Sequence, residues 1–115
     1  MQGNSILGCE YGVKLDNADT CDISGNTVRE CSYGLYAVYV FNSGIVWNNI
    51  SYIENTGISV YDGSYNNTVS SNSVSNCSDV GIIMDYLIRD CVVWNNIILN
   101  NTGGLYLWGC EDILI

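Results

Sequence analysis

A repeat of 22 to 24 residues runs through the whole chain and constrains its fold more than any other feature. In each repeat an asparagine stands two residues before an aliphatic residue, and a glycine further on opens an aliphatic-x-aliphatic triplet. The glycines are Gly12, Gly34, Gly57, Gly81 and Gly104. The asparagines that keep step with them are Asn4, Asn26, Asn48, Asn72 and Asn95. A period in this range is typical of solenoid proteins, in which each repeat forms one coil.

The sequence lacks the signatures of other solenoids with short coils. Leucine-rich repeats need a leucine five residues before the asparagine, where this chain has Cys21, Ser43, Asn67 and Asp90. They also need room for a helix, and only eight or nine residues separate each asparagine from the next glycine. The G-G-x-G-x-D motif of calcium-binding rolls and a strict six-residue period are both absent. The repeat therefore predicts an all-β, right-handed parallel β-helix of about five coils, with three short strands per coil.

The aliphatic spacing predicts which side chains fill the interior. Alternate residues of a strand point to opposite faces, so the aliphatic pair after each glycine should point inward. The pairs are Val13/Leu15, Leu35/Ala37, Ile58/Val60, Ile82/Met84 and Leu105/Leu107. The absence of proline agrees with this, because nearly every backbone N–H is needed between coils. The glycines are expected at a sharp turn, with φ values that other residues resist. Residues 61–67 are expected to form a local loop, because this coil carries an extra residue there.

The repeated asparagines are interpreted as structural. A buried amide is costly unless it is hydrogen-bonded. Stacked in every coil, each side chain can donate to one neighbour and accept from the other, as in other stacked β structures. This predicts a ladder of Asn4, Asn26, Asn48, Asn72 and Asn95.

Three of the six cysteines occupy one position of the repeat, which indicates a buried small hydrophobe rather than a disulfide framework. Cys9, Cys31 and Cys77 share this position with Ile53 and Asn100. No C-x-x-C motif and no histidine occur, so zinc and redox signatures are absent. Adjacent coils lie about 4.8 Å apart, within the range of a disulfide, so a bridge between Cys9 and Cys31 stays open.

The motif G-[IVL]-x-[LVAM]…N-x-[IV]-x-x-[NC]…G resembles that of the right-handed parallel β-helix repeat family, in the pectate-lyase-like superfamily of carbohydrate-binding and sugar-hydrolysing domains. The resemblance covers essentially the whole chain. A length of 115 residues predicts a single domain, residues 1–115. Because the chain stops mid-repeat at Ile113-Leu114-Ile115, we expect incomplete coils at both ends and a fragment of a larger surface protein. The family's motif is specific for fold and weak for function, because lyases, hydrolases, epimerases, adhesins and structural stalks share it.

The catalytic residues of the enzymes in this superfamily have no counterparts here. The chain has no histidine and no R-x-K motif, which the polygalacturonase-like members need. Arg29 and Arg89 occupy different positions in their coils. Asp16 and Asp85 share an outward column but lie three coils apart, about 14 Å, which is too far for paired-carboxylate glycoside chemistry. No catalytic residues are therefore predicted in this segment.

Outward aromatic residues are the strongest sign of a function. Trp47 and Trp94 each precede an asparagine of the repeat and are predicted to lie two coils apart in one column, about 10 Å. That spacing is close to two sugar units, and flat aromatic faces suit sugar rings. The outward positions of the first strand supply a second stripe, made of Tyr36, Tyr61, Tyr106 and Trp108. Stabilisation of the stacked strands is the alternative role for all six residues.

The charge balance excludes several partners. With a net charge of −9 and only three basic residues, nucleic acid and anionic membrane surfaces are not expected. No apolar stretch is long enough to insert into a membrane. Acidic residues at the coil corners could offer oxygen atoms to calcium, but no pair has a diagnostic spacing, so no cofactor and no metal site are predicted.

The sequence predicts a non-catalytic β-helix scaffold or surface-interaction module, extracellular or at the cell surface, with its leader not present in this chain. Its expected partners are a polysaccharide on the aromatic columns and a second copy of the chain, stacked head to tail through the open ends. The alternative is part of a polysaccharide lyase or glycoside hydrolase whose catalytic coils lie outside this segment.

Overall fold

The computed structural model describes residues 1–115, which form fourteen β-strands and no helix. In chain order the strands are β1 (Ser5–Leu7), β2 (Tyr11–Asp19), β3 (Asp22–Ser24), β4 (Thr27–Arg29), β5 (Tyr33–Phe41), β6 (Gly44–Val46), β7 (Asn49–Ser51), β8 (Ile58–Tyr61), β9 (Thr68–Ser70), β10 (Ser73–Ser75), β11 (Val80–Arg89), β12 (Val92–Trp94), β13 (Ile97–Leu99) and β14 (Gly103–Glu111). The structure offers no helix with the length and apolarity that crossing a lipid bilayer requires.

Three parallel sheets form the sides of a solenoid. The first sheet contains β2, β5, β8, β11 and β14, the second β3, β6, β9 and β12, and the third β1, β4, β7, β10 and β13. All strand pairs between neighbouring coils are parallel. The predicted all-β solenoid of about five coils with three strands per coil is confirmed.

The interior is filled by columns of aliphatic side chains. On the first sheet Ile58 pairs with Leu35 on one side and with Ile82 on the other, and all three side chains are buried. Twenty buried residues, from the three sheets and the corners between them, form one continuous core. Burying an aliphatic side chain of this size stabilises a fold by about 1.5–3 kcal/mol. The predicted inward pairs are confirmed, and they form part of this core.

The repeat glycines stack in a column along the solenoid, but the reason for glycine at this position differs from the predicted one. Gly12, Gly34, Gly57 and Gly81 have ordinary negative φ values, so the expectation of a special backbone conformation is wrong. These glycines are instead required by close packing between coils. A Cβ atom on Gly34 would lie 2.2 Å from the carbonyl oxygen of Gly57 and 2.7 Å from Ile50 Cγ2. No side chain fits at that distance.

Left-handed residues mark the three corners of the coils, with φ between 51° and 70°. Between the second and third sheets they are Gly3, Gly25, Trp47, Ser71 and Asn95. Between the third and first sheets they are Gly8, Glu30, Tyr52, Asn76 and Asn100. Between the first and second sheets they are Thr20, Asn42, Asn66, Asp90 and Asp112. At most of these corners the residue that follows takes part in a hydrogen bond between neighbouring coils.

The asparagine ladder occupies the corner between the second and third sheets, and its last member is Asn96 rather than Asn95. The backbone N–H and the side-chain Nδ2 of Asn72 both donate to Asn96 Oδ1, at 2.9 and 3.0 Å. Asn4, Asn26 and Asn48 make the same pair of bonds to the next asparagine along the ladder. Asn95 is exposed and takes the left-handed corner position instead. The prediction is therefore wrong by one residue, because 24 residues separate Asn72 from its true partner.

Five of the six cysteines lie in similar ladders at the other two corners, and Cys110 lies within β14. Cys9 donates its backbone N–H to Cys31 Sγ at 3.4 Å, and Cys77 donates to Asn101 Oδ1 at 2.8 Å. Asn101, not Asn100, thus completes this column. The ladder between the first and second sheets was not predicted, and consists of Cys21, Ser43, Asn67 and Cys91. All six thiols are free, including those of Cys9 and Cys31.

The predicted loop in the third coil is confirmed. Strand β8 contains four residues, whereas the other strands of the first sheet contain nine or ten. Asp62 and Gly63, immediately after it, both have left-handed φ values, of 55° and 71°. The sheet resumes its pairing at Tyr65, which bridges to Phe41 and Arg89.

Candidate functional site

The outward side of the first sheet carries two columns of side chains in strand register. The first column is Lys14, Tyr36, Ser59, Ile83 and Tyr106, and the second is Asp16, Val38, Tyr61, Asp85 and Trp108. The four aromatic residues predicted for this face therefore lie in the two predicted outward columns. The two columns define the candidate site, which is called the outward face below.

Tyrosines from the first three coils pack together at one end of the outward face. The ring centroids of Tyr36 and Tyr61 are 5.5 Å apart, and Tyr11 stacks on Tyr33 at 5.2 Å. Tyr36 contacts Tyr11 edge-on at 5.3 Å, which joins the two pairs. Tyr11 and Tyr33 were not predicted as site residues, although each directly precedes a glycine of the repeat and the two are 22 residues apart. The four tyrosines are called the tyrosine cluster.

A second aromatic pair lies on the last coil. The rings of Tyr106 and Trp108 are nearly parallel, with an interplanar angle of 11° and centroids 6.3 Å apart. Trp108 is 63% exposed, so one face of the indole is open to a ligand. Both residues belong to β14, which keeps regular register with β11 through this part of the sheet.

Asp85 lies between the tyrosine cluster and this second pair. It is the strand partner of Tyr61 on one side and of Trp108 on the other. With coils spaced about 4.8 Å apart, Tyr61 and Trp108 are separated by about 10 Å along the solenoid axis. Tyr61, Asp85 and Trp108 are called the aromatic-acid column.

Trp47 and Trp94 do not share a column, so the predicted tryptophan pair is wrong. Trp94 ends a strand and pairs with Ser70, whose partner in the preceding coil is Val46. Trp47 is one residue further along, at the left-handed corner with φ 60°. Both side chains are exposed, by 69% and 57% respectively, but they lie near the corner between the second and third sheets. They are therefore not part of the outward face.

The outward face carries a net negative charge, because it holds the carboxylates of Asp16 and Asp85 and only one basic side chain, Lys14. Burial is the largest cause of the raised pKa of Tyr36, and the nearby rings of Tyr11 and Tyr33 and the carboxylates of Asp62 and Asp16 raise it further. The pKa of Tyr61 is raised mainly by burial. Neighbouring Tyr36, Asp85 and Asp79 act on Tyr61 in the same direction. Both phenols therefore remain neutral donors at physiological pH.

A cleft of about 570 Å³ lies further along the first sheet, among residues that follow the aromatic-acid column in the chain. Its lining includes Gly63, Leu87, Arg89, Cys110 and Glu111. It lies where the register of β11 shifts between Asp85 and Ile88, and Tyr86 and Leu87 have left-handed φ values of 72° and 63°. The repeat pattern did not indicate this cleft, because it depends on a bulge in which two residues of β11, Tyr86 and Leu87, lie opposite one residue of β14, Gly109.

The acidic residues do not form a recognisable metal centre. Asp16 and Asp85 share a column with Val38 and Tyr61 between them, as predicted, so three coils separate their strands. No group of three or more His, Cys, Asp or Glu side chains is arranged to hold a metal ion.

The chain matches a known protein family. Residues 1–113 match the sequence model of the family described as "right handed beta helix region". The match agrees with the predicted hand of the solenoid. No curated protein and no solved structure matches the chain.

Proposed function

The chain belongs to the right-handed β-helix family, and we propose that it is a non-catalytic, extracytoplasmic scaffold that binds a polysaccharide on its outward face. The observation that carries this proposal is the aromatic-acid column, in which Tyr61 and Trp108 flank Asp85 in strand register. The fold alone does not indicate a ligand, because β-helices serve many functions.

The column combines the two kinds of contact that a sugar chain offers. The C–H faces of sugar rings are apolar and pack on aromatic rings, while the hydroxyl groups at the ring edges need hydrogen-bond acceptors. Trp108 presents an open aromatic surface, and Asp85 is half-buried beside it. A glycan lying along the solenoid axis would place successive rings over successive coils, since both repeat at about 5 Å.

Binding to immobilised polysaccharides tests the proposal. Affinity electrophoresis against a panel of plant, fungal and bacterial glycans should retard the wild-type chain on at least one of them. Trp108→Ala should weaken that binding about tenfold, equivalent to about 1.4 kcal/mol. Trp47→Ala is the matched control, because it removes an indole of similar exposure from another part of the surface. Equal losses for the two variants, or no retardation on any glycan, would contradict the proposal.

Two further elements of the proposal, the lack of catalysis and the location outside the cytoplasm, are tested separately. Release of reducing ends or unsaturated products from any bound polymer would favour the lyase or hydrolase alternative. Fractionation of cells that express the protein should recover it outside the cytoplasm, and a purely cytoplasmic location would refute this part.

A second candidate role is self-association with another copy of the chain. The asparagine ladder has a direction, because each coil donates from backbone and side chain to the Oδ1 atom of the following coil. At one end of the ladder the backbone N–H of Asn96 is therefore left as a donor. At the other end the Oδ1 atom of Asn4 is left as an acceptor. The interior columns also end in half-buried aliphatic residues, Leu15 at one end and Leu107 at the other. We propose that these terminal faces stack head to tail.

Gly104 allows a clean test of stacking. A Cβ atom there meets nothing within 4 Å, whereas the equivalent atom on Gly81 would lie 3.2 Å from the carbonyl oxygen of Gly104. Gly104→Ala should therefore leave the monomer folded but prevent a further coil from stacking. Light scattering should show concentration-dependent growth for the wild type and a monomer for this variant. A wild-type monomer at all concentrations would exclude stacking.

A further inference from the structure

We propose that the outward face selects neutral, hydroxyl-rich polysaccharides and excludes polyuronates and other polyanionic glycans. This inference rests on the proposed function and specifies its ligand class. It is carried by the charges that surround the aromatic-acid column and by the positions of the three basic residues.

Carboxylates line the path that a glycan would follow. Asp16 and Asp85 lie in the same outward column, in the first and fourth coils. Asp62 directly follows Tyr61, and its backbone N–H donates to the carbonyl oxygen of Asp85 at 3.3 Å. Asp62 and Asp79 also lie close enough to the tyrosine cluster to raise the pKa values of Tyr36 and Tyr61, respectively. A uronate bound on this path would meet a like charge in several coils.

None of the three basic residues lies beside the aromatic-acid column on the outward face. The Lys14 ammonium lies 4.8 Å from the ring centroid of Tyr11, in the first coil, three coils away from Asp85. Arg29 packs over Tyr52 at 5.3 Å and forms an ion pair with Glu30 at 3.6 Å. Arg89 lines the cleft further along the first sheet, where its guanidinium lies over Tyr65 at 5.2 Å and its strand partner is Glu111. No free cation is left to neutralise an anionic sugar over the column.

Asp85 can attract neutral sugars as well as repel uronates. An ionised carboxylate is an acceptor only, with room for several hydrogen bonds, and it bonds strongly to hydroxyl donors. Lying between Tyr61 and Trp108, Asp85 can accept from the hydroxyl groups of a sugar that stacks on either ring. The same carboxylate therefore favours neutral sugars and disfavours uronates.

Pairs of polymers that differ only in charge test the selectivity. Binding of the full chain is measured by affinity electrophoresis on hydroxyethyl- and carboxymethyl-cellulose, and on methyl-esterified and de-esterified polygalacturonate. EDTA is included so that calcium cannot bridge carboxylates. In each pair that binds, the neutral member should bind at least tenfold more tightly at about 20 mM salt. The difference should shrink in about 0.5 M salt, because the Debye length falls to a few ångströms.

A matched pair of variants identifies the responsible charge. Asp85→Asn should reduce the ratio of the affinities for the neutral and the charged polymer at least threefold at low salt. Asp90→Asn makes the same change in net charge at a left-handed corner, where Asn42 and Asn66 already occupy the equivalent positions, and should leave this ratio unchanged. Equal effects of the two variants would mean that overall charge, and not the outward face, determines the preference.

The possible results separate this inference from the function on which it rests. If the charged member of each pair binds as tightly as the neutral one at low salt, the selectivity is overturned while polysaccharide binding stands. If no polymer and no glycan of the wider panel binds, the proposed function fails and the selectivity fails with it.

Discussion

Asn72 donates two hydrogen bonds to a single atom, Asn96 Oδ1, from its backbone N–H at 2.9 Å and from its side-chain Nδ2 at 3.0 Å. Its own Oδ1 accepts the same two bonds from Asn48, and its Nδ2 also donates to the carbonyl oxygen of Ile45. At the corners, where the chain turns between sheets, these side chains take over the hydrogen bonding that backbone carbonyls provide within the strands.

Loss of the Asn72 side chain should destabilise the fold strongly. Asn72→Ala leaves the backbone N–H of the buried Asn48 without an acceptor, and a buried unsatisfied donor costs about 1–3 kcal/mol in addition to the lost bonds. The free energy of unfolding in urea should fall by about 2–4 kcal/mol. Asn95→Gly is the control, because Gly3 and Gly25 occupy equivalent left-handed positions, and it should change stability by less than about 0.5 kcal/mol. A larger loss at Asn95 than at Asn72 would contradict the observed ladder.

The sequence predicted the coil, its strands and its inward columns, because these depend on a period that every repeat shares. It did not predict the register of the fourth coil, where Val92-Val93, Asn95-Asn96, Ile97-Ile98 and Asn100-Asn101 are all doubled. Either register satisfies such a pattern. The identical tetrapeptides Trp47-Asn48-Asn49-Ile50 and Trp94-Asn95-Asn96-Ile97 therefore lie one residue out of step, and Ile50 is buried whereas Ile97 is 65% exposed.

One residue in the sequence could have resolved this ambiguity. The predicted register placed Asp90 at the inward position of Cys21, Ser43 and Asn67, where an unpaired carboxylate would be costly to bury. The structure places Cys91 there, with Asp90 exposed at the corner. The same shift separates Trp47 from Trp94. The pairing of Tyr61 with Asp85 and Trp108 was recoverable, because it depends only on the distance from the repeat glycines.

The glycine column should show a sharp contrast between interior and terminal coils. Gly34→Ala forces a Cβ atom to within 2.2 Å of the Gly57 carbonyl oxygen, so the coils must move apart. We expect a loss of more than about 3 kcal/mol in unfolding free energy, the range of severe overpacking. Gly104→Ala has open space and should be neutral within about 0.5 kcal/mol. Thermal unfolding followed by circular dichroism compares the two, and similar losses would show that the column does not pack as described.

Replacing Trp47 should stabilise the protein. A bulky residue in the left-handed region carries a strain of about 1 kcal/mol, which asparagine and glycine largely avoid. Trp47 is 69% exposed, so little packing is lost on its removal. Trp47→Asn should therefore raise the unfolding free energy by about 0.5–1 kcal/mol. Trp94→Asn, at a strand position, should not. A loss of stability in Trp47→Asn would mean that the indole makes contacts that outweigh the backbone strain.

The buried thiols predict an alkaline limit to stability. Burial raises the pKa of Cys77 to about 11 from its ordinary value of 9.0, so between these values the folded state holds a proton that the unfolded state releases. Stability from this group is complete below pH 9 and is lost as the pH rises through 11. Burial raises the pKa values of Cys91 and of Tyr61 as well, which adds to the same decrease in stability with pH.

Urea unfolding at several pH values should therefore give a free energy of unfolding that falls above about pH 9. In Cys77→Ala the fall should be shallower by up to about 2–3 kcal/mol over the two pH units, at the cost of a lower stability at neutral pH. An unchanged slope in this variant would show that the Cys77 thiol ionises as readily in the folded chain as in the unfolded one.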